Sequence, residues 1–207
     1  MSCYVVTLEP EKKIADEIIR IKQKIQQEIG HQLYIRDPPH ITLYLGYFKN
    51  SPDDILYETL KEIKEKLSPI EVAIGELDTF GKDIISKKET LFLTIEDKYE
   101  KIQKVQKVII DSLNLYRTKK IPLRYKESYN SLNKTLKENI DKYGYPFVGE
   151  IFIPHISFGL FNHPKSKEII KKLISKFPYG NYKLNRIVIY RLNEETEELK
   201  KIRAFDV

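Results

Sequence analysis

Two stretches of this chain read almost alike: Pro39-His40-Ile41-Thr42-Leu43 and Pro154-His155-Ile156-Ser157-Phe158. Each places a histidine two residues before a hydroxyl side chain, and together they use two of the four histidines in the protein. Residues two apart on an extended strand share a face. His40 and Thr42 then look one way, and Ile41, Leu43 and Leu45 the other. His155, Ser157 and Gly159 repeat the arrangement against Ile156, Phe158 and Leu160. The apolar rows belong in a core, so the polar rows face water or a cleft. A single His-x-Ser/Thr is cheap and reads as a solvated surface histidine. Two copies, each with a preceding proline and an intervening isoleucine, are much harder to obtain by accident.

The residue types suit phosphoryl chemistry. An unperturbed imidazole titrates near ~6.5, so one ring can be neutral while another is charged at the same pH. The neutral ring takes a proton from an attacking oxygen, and the charged ring delivers one to the leaving oxygen. Set on opposite sides of phosphorus, the pair supports in-line displacement. The Thr42 and Ser157 hydroxyls can donate to the non-bridging oxygens, where negative charge accumulates. This reading needs no metal and no cofactor. The chain carries no glycine-rich phosphate loop, no His-Glu-x-x-His and no cysteine–histidine zinc spacing.

The elements that must position these residues can be read from periodicity. Cys3–Leu8 is β-branched and aromatic and predicts a buried strand. Pro10 is expected to open a helix carrying Ile14, Ile18, Ile21, Ile25 and Ile29 at steps of three and four, closed by Gly30. Leu33–Ile35 suggests a short strand, Asp37-Pro38-Pro39 a rigid turn, and His40–Phe48 a second strand. Ser51-Pro52 starts another helix, which Pro69 stops. Residues 70–80 and 90–95 predict a strand pair. Asp97 is expected to cap a helix reaching about Tyr116, with Ile102, Val105, Val108 and Ile109 inward. Residues 118–147 read as an insertion or lid containing a helix somewhere in 128–140. Then come a strand over 149–160, a helix capped by Ser166, and strands over 182–192 and 199–205. Each histidine motif is thus followed by a helix and a strand pair, a pattern of rough internal duplication.

The paired tetrads resemble those of the 2H phosphoesterase superfamily, which includes the LigT-like RNA 2′,5′ ligases and cyclic nucleotide phosphodiesterases. The resemblance implies an α+β fold: a bilobal, pseudo-twofold arrangement with two antiparallel sheets lining a central cleft and helices outside. It implies a single domain over 1–207, with lobes of roughly 1–95 and 96–207. His40 and His155 would be the acid–base pair, and Thr42 and Ser157 the phosphate-binding hydroxyls. The expected substrate is a nucleotide or RNA phosphodiester: a 2′,3′-cyclic phosphate, or a 2′,5′-linked or cyclic oligonucleotide. The alternatives are a 2′,5′ ligase-like reaction, or a module that binds a nucleotide or RNA end without turnover. Where the LigT-like branch often carries an arginine after its second motif, this chain has Phe158-Gly159-Leu160-Phe161.

Other residues complete the expectations. Tyr44 shares a strand face with His40 and Thr42, which makes it a candidate cleft contact. Arg124, Tyr125 and Lys126 combine charge with an aromatic ring and are candidate substrate contacts from the insertion. His31 and His163 read as structural or solvated. The net charge of +6 favours an anionic partner without demanding one. One cysteine, Cys3, excludes an intrachain disulfide and suits a reducing compartment. No secretion-signal pattern and no run of about 20 apolar residues is present, so a cytoplasmic monomer away from membranes is expected.

Overall fold

The computed structural model describes residues 2–49, 52–81, 87–98, 100–161 and 164–207. The expected helix cap at Ser51 and the loop residue His163 lie outside them. Seven strands run in chain order: β1 (Cys3–Pro10), β2 (Ile41–Tyr47), β3 (Ile70–Phe80), β4 (Glu89–Glu96), β5 (His155–Phe161), β6 (Gly180–Leu192) and β7 (Leu199–Asp206). The helices are α1 (Lys12–Ile29), α2 (Pro52–Lys64), α3 (Lys101–Leu113), α4 (Leu123–Lys126), α5 (Lys134–Tyr143) and α6 (Pro164–Ile174). The class is α+β, as expected.

Antiparallel hydrogen bonding joins all seven strands into one sheet, ordered β2-β1-β6-β3-β4-β5, with β7 also on β6. The two separate sheets that the resemblance implies are therefore one continuous sheet. The join is β6, a strand of 13 residues. Gly180–Leu184 pairs with β3, while β1 follows the same strand from Leu184 to Leu192. From Arg186 onward the side vacated by β3 is taken by β7. His40 immediately precedes β2 and His155 opens β5, so the two motifs sit at opposite ends of the strand order.

The core is rich in isoleucine. Ile14, Ile18, Ile21 and Ile25 of α1 are buried against the sheet, as the helical spacing predicts. Pro10 ends β1 rather than opening α1, and Gly30 closes the helix at φ 81°, a conformation glycine adopts at low cost. In α3 the buried row is Ile102, Val105, Ile109, Ile110 and Leu113. Val108, expected inward, is exposed because it falls off that row. The Asp97 carboxylate accepts from the Ile102 N–H, close to the expected cap. Ser166 lies within the first turns of α6, which begins at Pro164.

Residues 118–147 are not a bare loop. They contain α4 and α5 and bury Tyr125, Leu132, Ile140 and Tyr145. Asn133 caps α5 by accepting from the Leu136 N–H at 2.9 Å, and Gly144 (φ 74°) ends it. Leu33–Ile35 forms turns rather than a strand, with Tyr34 in the left-handed region at φ 67°.

Candidate active site

His40, Thr42, His155 and Ser157 line one cavity of about 310 Å³. The two ends of the strand order therefore meet across it. The two histidines are held alike. His40 Nδ1 lies 2.7 Å from the Pro38 carbonyl, and His155 Nδ1 lies 2.7 Å from the Ile153 carbonyl. A carbonyl can only accept, so Nδ1 carries the hydrogen in each ring. Nε2 is then the nitrogen that carries no hydrogen in the neutral ring. The carbonyl comes from two residues upstream in both cases. The proline before each histidine leaves that short segment extended and without an amide hydrogen of its own.

The surroundings of the two rings differ. Burial pushes the His40 imidazole down to about 4, and the Lys22 and Arg124 charges act in the same direction. The Pro38 bond and Glu9 oppose this without reversing it. Tyr190, whose hydroxyl donates to Glu9, sets its ring 6.2 Å from that of His40. His155 instead stands against two aromatic rings. The Phe80 ring stands 4.8 Å away at 81°, and Phe92 stands 5.3 Å away at 66°. Phe80 and Phe92 are themselves stacked at 4.0 Å, which fixes the wall behind the ring.

Of the other anticipated contacts, Arg124 and Tyr125 line the cavity. They are brought there by the β6–β7 turn. Glu197 binds the Arg124 guanidinium, and Glu194 accepts from the Leu123 N–H at 2.7 Å. Lys126 is exposed and does not line the cavity, because α4 turns it to solvent. Tyr44 is also not a cavity residue. A register shift pairs Val6 with Tyr44 but Thr7 with Thr42, so Leu43 is an extra residue and the strict alternation fails there. Tyr44 is fully buried, and its hydroxyl donates to the Tyr143 carbonyl at 2.7 Å. It supports the cavity from behind, edge-on to Tyr145.

Several lining residues carried no expectation from sequence. Tyr145, Phe147 and Phe152 make an aromatic and apolar wall beside Tyr125. Lys22 and Asp37 add charge to the lining. Lys22 is the notable omission. It stands four residues after Ile18 and three before Ile25, on the apolar row of α1. A lysine at such a position is a legible signal, since it buries its charge unless something receives it. Among the described residues, no three His, Cys, Asp or Glu side chains converge as a metal site would need.

The turn before His40 and the strand of His155 meet at a glycine. A Cβ at Gly159, two residues beyond Ser157, would lie 3.2 Å from Gln32 Oε1 and 3.7 Å from Ile35 Cδ1. The segment leading into His40 thus packs on the strand of His155. Gly159→Ala is expected to be tolerated, because the nearest atom is the end of a side chain. Gly159→Val adds branches that displace the 32–35 turn. It is expected to lower kcat about tenfold or more, since small misplacements of a catalytic group are costly. Steady-state rates for the two variants check this, and equal rates would dismiss it.

The sequence belongs to the 2′-5′ RNA ligase superfamily, whose family model matches residues 10–196. The fold agrees with that membership. TT0787 of Thermus thermophilus is similar at a TM-score of 0.59 and 12% identity, covering 99% of this chain and 97% of that one. LigT of E. coli in its apo form is similar at 0.53 and 9% identity, covering 99% and 96%. No curated protein sequence matches the chain.

Proposed function

We propose that the protein is a metal-independent phosphodiesterase acting on a nucleotide or RNA phosphodiester through His40 and His155. The observation that carries this reading is the shared cavity, in which both rings are held by Nδ1 and so present Nε2 as the working nitrogen. The different surroundings divide the roles. His40, depressed to about 4, is neutral at physiological pH and is the general base. His155 is then the proton donor. For a 2′,3′-cyclic phosphate, His40 takes a proton from water as its oxygen bonds to phosphorus. The bond from phosphorus to one ribose oxygen breaks, and His155 returns a proton to that oxygen. The product is a phosphomonoester.

Among the described residues the Thr42 and Ser157 hydroxyls make no hydrogen bond, so they can turn to the phosphate oxygens. The wall of Tyr125, Tyr145 and Phe147 suits the face of a base. A volume of about 310 Å³ is mononucleotide-sized. LigT of E. coli has been crystallised with 3′-AMP, with ATP and with phosphate, which supports nucleotide ligands for this fold. The test is turnover, in excess chelator, of 2′,3′-cyclic mononucleotides and of 2′,5′- and 3′,5′-linked dinucleotides. Cleavage of at least one is expected. Tight nucleotide binding with no turnover of any would replace the enzyme with a binding module. Joining of RNA ends without cleavage would replace it with a ligase-like activity.

A further inference from the structure

Lys22 is almost wholly buried, at 3% exposure, on a helix face otherwise given to isoleucine. Burying a lysine is costly, and the chain keeps it for two bonds. Its Nζ donates to the Tyr34 carbonyl at 2.9 Å and to the Asp37 carbonyl at 3.0 Å. Both acceptors belong to the turn that leads into His40. The backbone of that turn holds itself loosely. Pro38 and Pro39 offer no amide hydrogen, and Tyr34 occupies the left-handed region, which is unfavourable for a non-glycine residue. Its own backbone bonds are Asp37 N–H to Tyr34 O at 3.2 Å and Ile35 N–H to Gln32 O at 3.3 Å, both long. The Asp37 carbonyl is one peptide away from the Pro38 carbonyl, and the Pro38 carbonyl holds His40 Nδ1.

We propose that Lys22 is a positioning residue for the reaction: by anchoring the Tyr34 and Asp37 carbonyls it aims the Pro38 carbonyl at His40 and so fixes the tautomer and tilt of that ring. The proposal rests on the acid–base reading of His40 for its catalytic consequence, but its structural half stands apart from turnover. A ring that loses its Nδ1 acceptor populates the other tautomer, and Nε2 then carries the hydrogen and cannot accept a proton. Lys22 also lines the cavity, so an alternative role exists for it: direct attraction of substrate charge. The two roles separate by experiment.

The test uses the full-length protein, with histidine ring nitrogens observed by ¹⁵N NMR at pH 7 and steady-state kinetics on the best substrate of the panel. The His40 signals are assigned by their loss in His40→Asn. In wild type, His40 is expected as the Nδ1–H tautomer. In Lys22→Met, of similar length but without donors, a tautomer mixture is expected, with kcat about tenfold or more lower and KM little changed. An unchanged tautomer and kcat in Lys22→Met would overturn the proposal. So would a raised KM with kcat and tautomer intact, which assigns substrate attraction instead. If Lys22→Met does not fold, Lys22→Gln decides. Loss of the tautomer together with kcat in Lys22→Gln supports anchoring, while a retained tautomer overturns it. If wild type turns over no substrate but the Lys22→Met tautomer shifts, the anchor holds and the phosphodiesterase reading fails.

Discussion

Alanine at His40 or at His155 is expected to lower kcat about 10²–10⁴-fold, with folding intact. That is the usual contribution of a positioned acid or base. The double variant is expected to fall little further than either single one, because two groups serving one proton transfer sequence fail together. Both rings are only partly buried, so neither truncation opens a sealed hole in the core. The pH profile should be asymmetric for a related reason. His40 must be neutral to act, and its depressed value keeps it so well below the usual imidazole range. The acid limb of kcat/KM is therefore expected near pH 4 to 5 rather than near ~6.5. An acid limb at the ordinary imidazole value would show that His40 is not the base. Full activity in either alanine variant would end the paired mechanism altogether.

Glu197→Ala should destabilise the fold by about 2–3 kcal/mol, and Arg124→Met by much less. The asymmetry comes from what each change leaves behind. Without Glu197, the Arg124 guanidinium remains, only 12% exposed, with an Nε that has no partner among the described residues. Without Arg124, the carboxyl that remains is 21% exposed, and burial already raises its pKa, so it can neutralise by taking a proton. The expected loss sits below the cost of a fully buried broken pair because solvent reaches both partners and Asp37 lies within electrostatic reach of Arg124. Urea midpoints of the two variants check this, and similar midpoints would count against it. The change should also raise KM, since Arg124 and Tyr125 are held in the cavity wall through this turn.

What the sequence disclosed, and what it hid, follows from how local each cause is. The two histidine strands were legible because strand alternation and a repeated motif are local signals. So were the isoleucine face of α1 and its Gly30 stop. Tyr44 was misplaced because one extra residue at Leu43 breaks the alternation, and only the pairing partner β1 reveals that. Arg124 and Tyr125 could be suspected by type, but their route to the cavity depends on Glu194 and Glu197, some seventy residues later. Nothing in a run of glutamates announces such a tether. The continuity of the sheet was hidden in the length of β6, which read as an ordinary strand. Lys22 is a charge set on the apolar row of α1, yet its meaning requires the carbonyls of a turn whose residues read as a strand.

Among the described residues, β2, which His40 precedes, pairs with β1 alone, and β5, which His155 opens, pairs with β4 alone. They are the rims of the sheet, and rims are where foreign strands dock and aggregates begin. Here the 32–35 turn, which leads into His40, packs on β5 at Gly159, and the Phe48–Arg117 bridge extends over the end of β2. Solubility and turnover are in this way entrusted to the same few segments. Damage that loosens the turn before His40 should leave a stickier protein as well as a slower one.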